Sequence, residues 1–137
     1  EENARVQEVK IHFRQADILQ VAAEAISPVG IIGDVGLDAI VSNPPYILQK
    51  ESAQMEQNVL AYEPHLALFV PDNDPLRYYR AIADYARLAL RPGGKLYLEI
   101  NPLCAEAMVE MLQAKRFKAI EIMCDFYGKS RFILATI

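Results

Sequence analysis

One short run constrains this chain more than anything else in it: Leu37-Asp38-Ala39-Ile40-Val41-Ser42 followed by Asn43-Pro44-Pro45-Tyr46. The Ala-Ile-Val centre predicts a strand buried on both faces. Two prolines in a row then remove ladder donors and fix φ, so the strand must stop there. A strand that ends abruptly on a turn is where an open α/β sheet places its ligands, beyond the carboxyl ends of the strands.

The elements around it alternate in type. Asn3–Glu8 predicts the tail of a helix, Val9–Phe13 a short strand ending before Asp17, and Ala22–Ala25 a helical turn; Ser27–Gly36 is a loop rich in turn residues. From Leu76 to Leu90, Tyr78, Ile82, Tyr85, Ala86 and Ala89 fall on one helical face and Arg77, Arg80, Asp84, Arg87 and Arg91 on the other. Arg91-Pro92-Gly93-Gly94 ends that helix, and Lys95–Ile100 is the next strand. Asn101 then serves as an N-cap with Pro102 at the first helical position, opening a helix to about Ala114. Phe117–Asp125 and Arg131–Ile137 predict an antiparallel pair joined through Gly128. The expected fold class is therefore α/β: a mostly parallel sheet with helices on its faces and an antiparallel C-terminal hairpin. The long interval Ile47–Pro75, which contains Glu63-Pro64-His65-Leu66, is expected to be a lid or binding loop.

Composition narrows the function classes. The chain has 137 residues, 53% of them hydrophobic and 23% charged, which fits one globular domain. Lys plus Arg number 14 against 18 Asp plus Glu, a net charge of −4, so a phosphate-backbone binder is disfavoured and no direct nucleic-acid contact is expected. Cys104 and Cys124 form no C-x-x-C pair, which suits a reducing, cytoplasmic setting, and no metal site is visible. The most apolar stretch, Val21–Ile32, is broken by Glu24, Pro28 and Gly30 and is too short to cross a bilayer.

The turn itself carries chemistry. Each proline lacks an N–H, so the backbone carbonyls there stand without competing donors, and the Asn43 side-chain oxygen adds a further acceptor. An amide or exocyclic NH₂ could place its two hydrogens on the Asn43 oxygen and the Pro44 carbonyl, which fixes the nitrogen. That nitrogen is a weak nucleophile, because its lone pair is delocalised. Catalysis must then come from alignment with a strong electrophile, which supplies about 7–11 kcal/mol in well-oriented cases. Tyr46 offers a flat face to a planar group and a cation–π contact of about 0.5–2 kcal/mol to a sulfonium.

Several features carry less. Gly30, Gly33 and Gly36 have the wrong spacing for a phosphate loop, and a strand follows them. Asp84 lies within helical reach of Arg80 and Arg87, which predicts a solvated, salt-bridged arginine face. His65 is incidental, because transfer by alignment needs no strong base. Glu63 is a candidate for ordering the long loop near a substrate, and Glu99 either stands at the site or bonds a nearby loop.

Beyond these readings, the chain resembles the amino-methyltransferases that use S-adenosylmethionine, and more narrowly the C-terminal part of the release factor glutamine methyltransferases, the HemK/PrmC family. The resemblance rests on Glu2-Asn3-Ala4, Gln15-Ala16-Asp17-Ile18, Asp38–Ile47, Tyr62-Glu63-Pro64, Ala67-Leu68-Phe69, Asp74-Pro75-Leu76 with Tyr79-Arg80, Pro92-Gly93-Gly94, Leu98-Glu99-Ile100, and Asp125 with Gly128 and Arg131. It implies a partial Rossmann-like class I sheet, and methyl transfer to the side-chain amide nitrogen of a Gly-Gly-Gln glutamine in peptide chain release factors. Asn43, Pro44 and Tyr46 are then the catalytic residues that bind the glutamine amide. Pro45 shapes the turn, Glu63 lies near the substrate, and Asp17 and Ile18, with Asn43, meet the cofactor. Where the family pattern has Gly, this chain has Asn101, for which a helix cap accounts.

The resemblance also implies that the first strands, the glycine-rich cofactor loop and the helical N-terminal domain belong before Glu1. Leu37–Ser42 is then expected to be an apolar sheet edge, which leads to self-association of chains, a rearranged N-terminal segment or disorder there. Alternatives are a ribosomal-protein glutamine or a nucleic-acid amino group as acceptor, or a non-catalytic interaction module. Titration calorimetry of the 137-residue chain with S-adenosylmethionine is expected to show weak or no binding, and micromolar affinity would contradict this.

Overall fold

A computed structural model describes residues 2–24, 36–54, 62 and 64–137. Glu63, Gly30, Gly33 and most of the Ser27–Gly36 loop lie outside the described residues. In chain order the elements are α1 (Glu2–Val6), α2 (Ile18–Glu24), β1 (Leu37–Ser42), β2 (Ile47–Leu48), a 3-10 helix (Gln49–Gln54), α3 (His65–Leu68), β3 (Phe69–Val70), α4 (Arg77–Ala89), β4 (Leu90–Glu99), a 3-10 turn (Pro102–Cys104), α5 (Ala105–Ala114), β5 (Lys118–Cys124) and β6 (Ser130–Thr136). Among these no helix is long and apolar enough to cross a membrane.

The main sheet has the order β1-β4-β6-β5. β1 pairs with β4 in parallel, while β6 runs antiparallel to both β4 and β5. Three strands thus share one direction and the closing strand is inserted against them, which is the arrangement the α/β pattern predicts. β2 and β3 form a separate parallel pair within the Ile47–Pro75 interval, joining its start to Phe69–Val70.

The core lies on one face of this sheet. Leu96 and Leu98 of β4 and Ile133 and Ala135 of β6 are buried there beneath Tyr79, Ile82, Ala83 and Ala86 of α4 and Met108 and Leu112 of α5. Alternation along β4 and β6 puts Tyr97, Glu99 and Phe132 on the opposite face, which is only partly covered. Between α4 and the straight part of β4, residues 91–94 bulge out of register with β1, and Gly93 takes φ +79°. Gly94 is tighter still: a Cβ there would sit 2.8 Å from the Arg91 carbonyl oxygen and 3.0 Å from that of Leu37.

Two expectations fail. Val9–Phe13 is not a strand: Val9, Ile11 and Phe13 are all more than half exposed, and the segment has no ladder partner among the described residues. An alternating pattern becomes a strand only where a neighbour supplies the ladder and covers one face. β1 is not buried on both faces either, since Val41 is 78% exposed. It is the edge of the described sheet, so only β4 flanks it, and no described helix covers the face that carries Val41.

The remaining elements form for local reasons. The Asn101 side chain accepts from the Leu103 N–H (3.0 Å), capping the turn into α5 as expected. Asp125 closes the hairpin by accepting from the N–H groups of Tyr127 (2.9 Å) and Lys129 (3.0 Å) and from Arg131 Nε (3.1 Å), with Gly128 at φ +75°. The expected pairing of Asp84 with Arg80 and Arg87 along α4 is not what forms: on that helix Arg80 alone of the arginines has an ion pair among the described residues, and Arg91 lies in β4. Arg80 pairs with Asp74 at 2.5 Å, Arg91 with Asp38 at 2.6 Å, and Asp84 with Lys115.

Leu98 is 1% exposed at the centre of the core, whereas Phe126 is fully exposed in the hairpin turn. Leu98→Ala should cost about 2–5 kcal/mol in denaturant unfolding, and Phe126→Ala should stay within about 0.5 kcal/mol.

Candidate active site

β1 delivers the double-proline turn to the carboxyl edge of the sheet. Because β1 and β4 are parallel and in register, Val41 lies beside Tyr97 and Ser42 beside Leu98. The next residue, Asn43, is exposed, while Pro44 is buried beneath it. Asn43 lines a cavity of about 420 Å³ together with Val41, Tyr97, Glu99, Met123 and Phe132. A second cavity of about 840 Å³ lies on the other side, where Asp17, Ile18, Pro44, Pro45, Tyr78 and Tyr85 line it. Val41 and Ser42 border both, so the end of β1 is the wall between them.

The structure thus gathers Asp17, Ile18, Pro44 and Pro45 around one cavity and sets Asn43 beside Glu99 in the other. Tyr46 lines neither of the two. It packs against the core, and its hydroxyl donates to Glu99 Oε1 at 2.6 Å. Glu99 therefore does both things the sequence allowed: it borders the cavity and it bonds the turn. Asp17 is partly committed, since its Oδ1 caps α2 by accepting from the Leu19 N–H at 2.9 Å. His65 packs its ring against Phe69, with centroids 5.5 Å apart.

A hydrogen-bond network ties the turn to the end of β4. Asn101, 3% exposed, donates through Nδ2 to the Tyr46 carbonyl (3.1 Å) and to Glu51 Oε2 (2.7 Å). Glu51 also accepts from the Leu48 N–H at 2.8 Å, which anchors the 3-10 helix to β2. The fully buried Tyr79 donates its hydroxyl to the Glu99 carbonyl (3.1 Å) and accepts from the Asn101 N–H (3.3 Å). Burial pushes the Tyr46 phenol up to about 12, helped by its bond to the Glu99 carboxylate and that group's charge; Arg131 opposes this. Burial raises Tyr79 as well.

Three members of this network escaped the sequence reading. Tyr79 adjoins the expected apolar face of α4, one residue round from Tyr78. Asn101 was legible as a cap, which uses its oxygen and leaves the role of its NH₂ open. Glu51 falls in an interval without periodicity, and no local signal could have found it.

The Asn-Pro-Pro-Tyr run on which the resemblance to the amino-methyltransferases rests thus lies at the carboxyl end of a strand, between two cavities. No family model matches it. Among curated proteins it is 44% identical to a release factor glutamine methyltransferase of Bacteroides thetaiotaomicron over 93% of this chain and 43% of that protein. It is 42% identical to that of Flavobacterium psychrophilum, over 97% of this chain and 44% of the relative. For Lactococcus lactis the identity is 38%, over 96% of this chain and 45% of the relative. A crystal structure of a release factor-specific protein-(glutamine-N5) methyltransferase from Alicyclobacillus acidocaldarius aligns with a TM-score of 0.49 and 23% identity, covering 87% of this chain and 56% of that one. By sequence the chain belongs to the release factor glutamine methyltransferase family. It spans less than half the length of the three curated relatives.

A phenol whose folded pKa is raised favours the folded state fully below its unfolded pKa of about 10, and the benefit disappears as pH climbs through the folded value. Tyr46 should therefore contribute to a fall in stability between about pH 10 and the folded value of about 12. Tyr46→Phe is expected to make alkaline denaturation shallower across that window; an unchanged profile would show that the hydroxyl is not held as described.

Proposed function

We propose that the protein carrying this chain transfers a methyl group from S-adenosylmethionine to the side-chain amide nitrogen of a glutamine in the Gly-Gly-Gln motif of peptide chain release factors. The observation that carries this reading is the placement of Asn43: exposed, at the end of β1, beside the cavity that Glu99 borders, directly before two prolines that have no N–H to satisfy it.

In this reading the Asn43 side-chain oxygen and the Pro44 carbonyl each accept one hydrogen of the glutamine NH₂. The grip fixes the plane and direction of the amide and leaves its nitrogen facing the electrophile. Proximity and orientation of this kind are worth about 7–11 kcal/mol when alignment is good. Asn43, Pro44 and Tyr46 are the residues proposed for this work, with Pro45 holding the shape of the turn. Glu99 keeps the Tyr46 phenol bound and protonated, so that Tyr46, which lines neither cavity, serves by anchoring the far end of the turn.

The larger cavity fits the methyl donor in size and lining. About 840 Å³ suits a nucleoside-bearing molecule, and Ile18, Ile40, Tyr78 and Tyr85 supply apolar and aromatic surface for a purine, with Asp17 at its edge. When bound, S-adenosylmethionine supplies an electrophilic methyl on a sulfonium. Asp17 and Ile18 would hold its adenine end, and Asn43, at the end of the dividing strand, would face its methyl end. Among the described lining residues Asp17 is the single charged group, so the cavity offers little to the ribose and sulfonium.

In the full-length protein, Asn43→Ala should lower kcat for a release-factor glutamine by about 10²–10³-fold, the loss of one oriented polar contact in the transition state. A radiolabelled methyl assay on release factor, ribosomal protein and nucleic acid checks both points. Labelling of release factor alone is expected, and Asn43→Ala activity within a few-fold of normal would remove the clamp.

A further inference from the structure

Asn101 is the sole buried polar residue among the described residues, and its amide uses both ends. The oxygen caps the turn into α5, a local structural duty that any short acceptor side chain could perform. The NH₂ does something a cap does not need. It reaches across to the Tyr46 carbonyl and to Glu51 Oε2, residues 55 and 50 positions away in the sequence. The Tyr46 carbonyl belongs to the last residue of the turn, and beyond the turn Glu51 accepts from the Leu48 N–H. Between Ser42 and Ile47 the two prolines leave the backbone with few donors of its own. The conformation of the turn is therefore set from outside, by the Tyr46 hydroxyl on Glu99 and by the Asn101 amide on the Tyr46 carbonyl.

We infer that Asn101 is a positioning residue for the Asn43–Tyr46 turn, acting through the Tyr46 carbonyl and Glu51 to hold the acceptor pair at the spacing a planar amide requires. This rests on the reading of that turn as the amide clamp. Asn101 does not touch the substrate. It restricts the turn at its far end, so that Asn43 and the Pro44 carbonyl are presented together rather than by chance. A buried amide satisfied at both ends is directional, and an apolar replacement would leave the Tyr46 carbonyl without its donor and Glu51 with the Leu48 N–H but not the amide.

Two variants separate positioning from capping. Asn101→Asp keeps the oxygen that caps α5 but loses both donated bonds and sets a carboxylate against Glu51. Adding Glu51→Gln removes the repulsion between the two carboxylates; the Leu48 N–H and Asn101 both meet Glu51 at Oε2, so the new amide serves one of them there, and the Tyr46 carbonyl stays without its donor either way. In the full-length protein the double variant should therefore recover the part of the thermal stability that Asn101→Asp loses to carboxylate repulsion. It should nevertheless keep a drop of about tenfold in kcat on a glutamine peptide, with KM for S-adenosylmethionine unchanged within about twofold. Recovery of kcat together with stability would overturn the inference and leave Asn101 a cap.

A readout independent of methyl transfer accompanies these. With tyrosine labelled at Cζ and the Tyr46 signal assigned through Tyr46→Phe, the unaltered protein should hold the Tyr46 phenol un-ionised, together with that of the buried Tyr79, at a pH where exposed tyrosines have titrated. In the double variant the Tyr46 signal should move toward the exposed group. Glu99 and Arg131 flank the phenol, and both remain in every variant. If the signal moves while the unaltered protein methylates no glutamine, the positioning role stands and the clamp reading fails. If it does not move, the positioning role fails whatever the activity.

Discussion

A turn made of two prolines cannot anchor itself. It lacks the N–H groups that would continue the β1 ladder, so the atoms that fix it have to come from a neighbouring element. Here they come from the end of β4: the Glu99 carboxylate takes the Tyr46 hydroxyl, and the Asn101 amide takes the Tyr46 carbonyl. Tyr79 beneath them locks the same corner, bonding the Glu99 carbonyl and the Asn101 N–H from the core side. The parallel pairing of β1 with β4 is what brings these groups level, since it lays Ser42 beside Leu98 just before both strands end. Without that register the acceptors of the turn would have no fixed direction.

The same strand end separates two environments. On the core side, α2, α4 and the prolines enclose a roomy, largely apolar cavity with one carboxylate, Asp17, at its margin. On the open face Asn43 and Glu99 border a smaller one among Val41, Tyr97, Met123 and Phe132. Asn43 lines the smaller cavity and Pro44 the larger, so a planar amide gripped by both would lie across the rim at the end of β1, where the two cavities meet. A short wall with acceptors on its rim is a sensible device for a reaction whose nucleophile is weak and whose barrier falls mainly through alignment. It also explains why no strong base is needed among these residues.

Much of this was legible in the sequence, for a definite reason. Strand β1, helix α4, the capped start of α5 and the closing hairpin each carry a local signal: a β-branched run, a helical stripe, Asn-Pro, and Asp125 with Gly128. Such signals survive because the tertiary structure agrees with them. The Val9–Phe13 alternation was misleading, since a period of two says nothing about whether a neighbour exists to pair with. Burial of β1 was misjudged for the same reason: Val41 is apolar, but the face it occupies is not covered by any described element. At the site, Asn43 to Tyr46 could be read directly, because prolines and an amide at a strand end have few other uses. The Glu51, Tyr79 and Asn101 network could not be, since each of its bonds joins residues that only the sheet brings together.

The central claim is that Asn43 and the Pro44 carbonyl grip both hydrogens of a glutamine side-chain amide. The most direct measurement follows those two protons in a Gly-Gly-Gln peptide labelled with nitrogen-15 at the glutamine side chain, titrated with the full-length protein and a non-reactive analogue of the methyl donor. Both amide protons should shift downfield and exchange more slowly with water, and Asn43→Ala should abolish the effect on one of them. Side-chain amide signals that stay at their free positions while the peptide backbone signals shift would contradict the account.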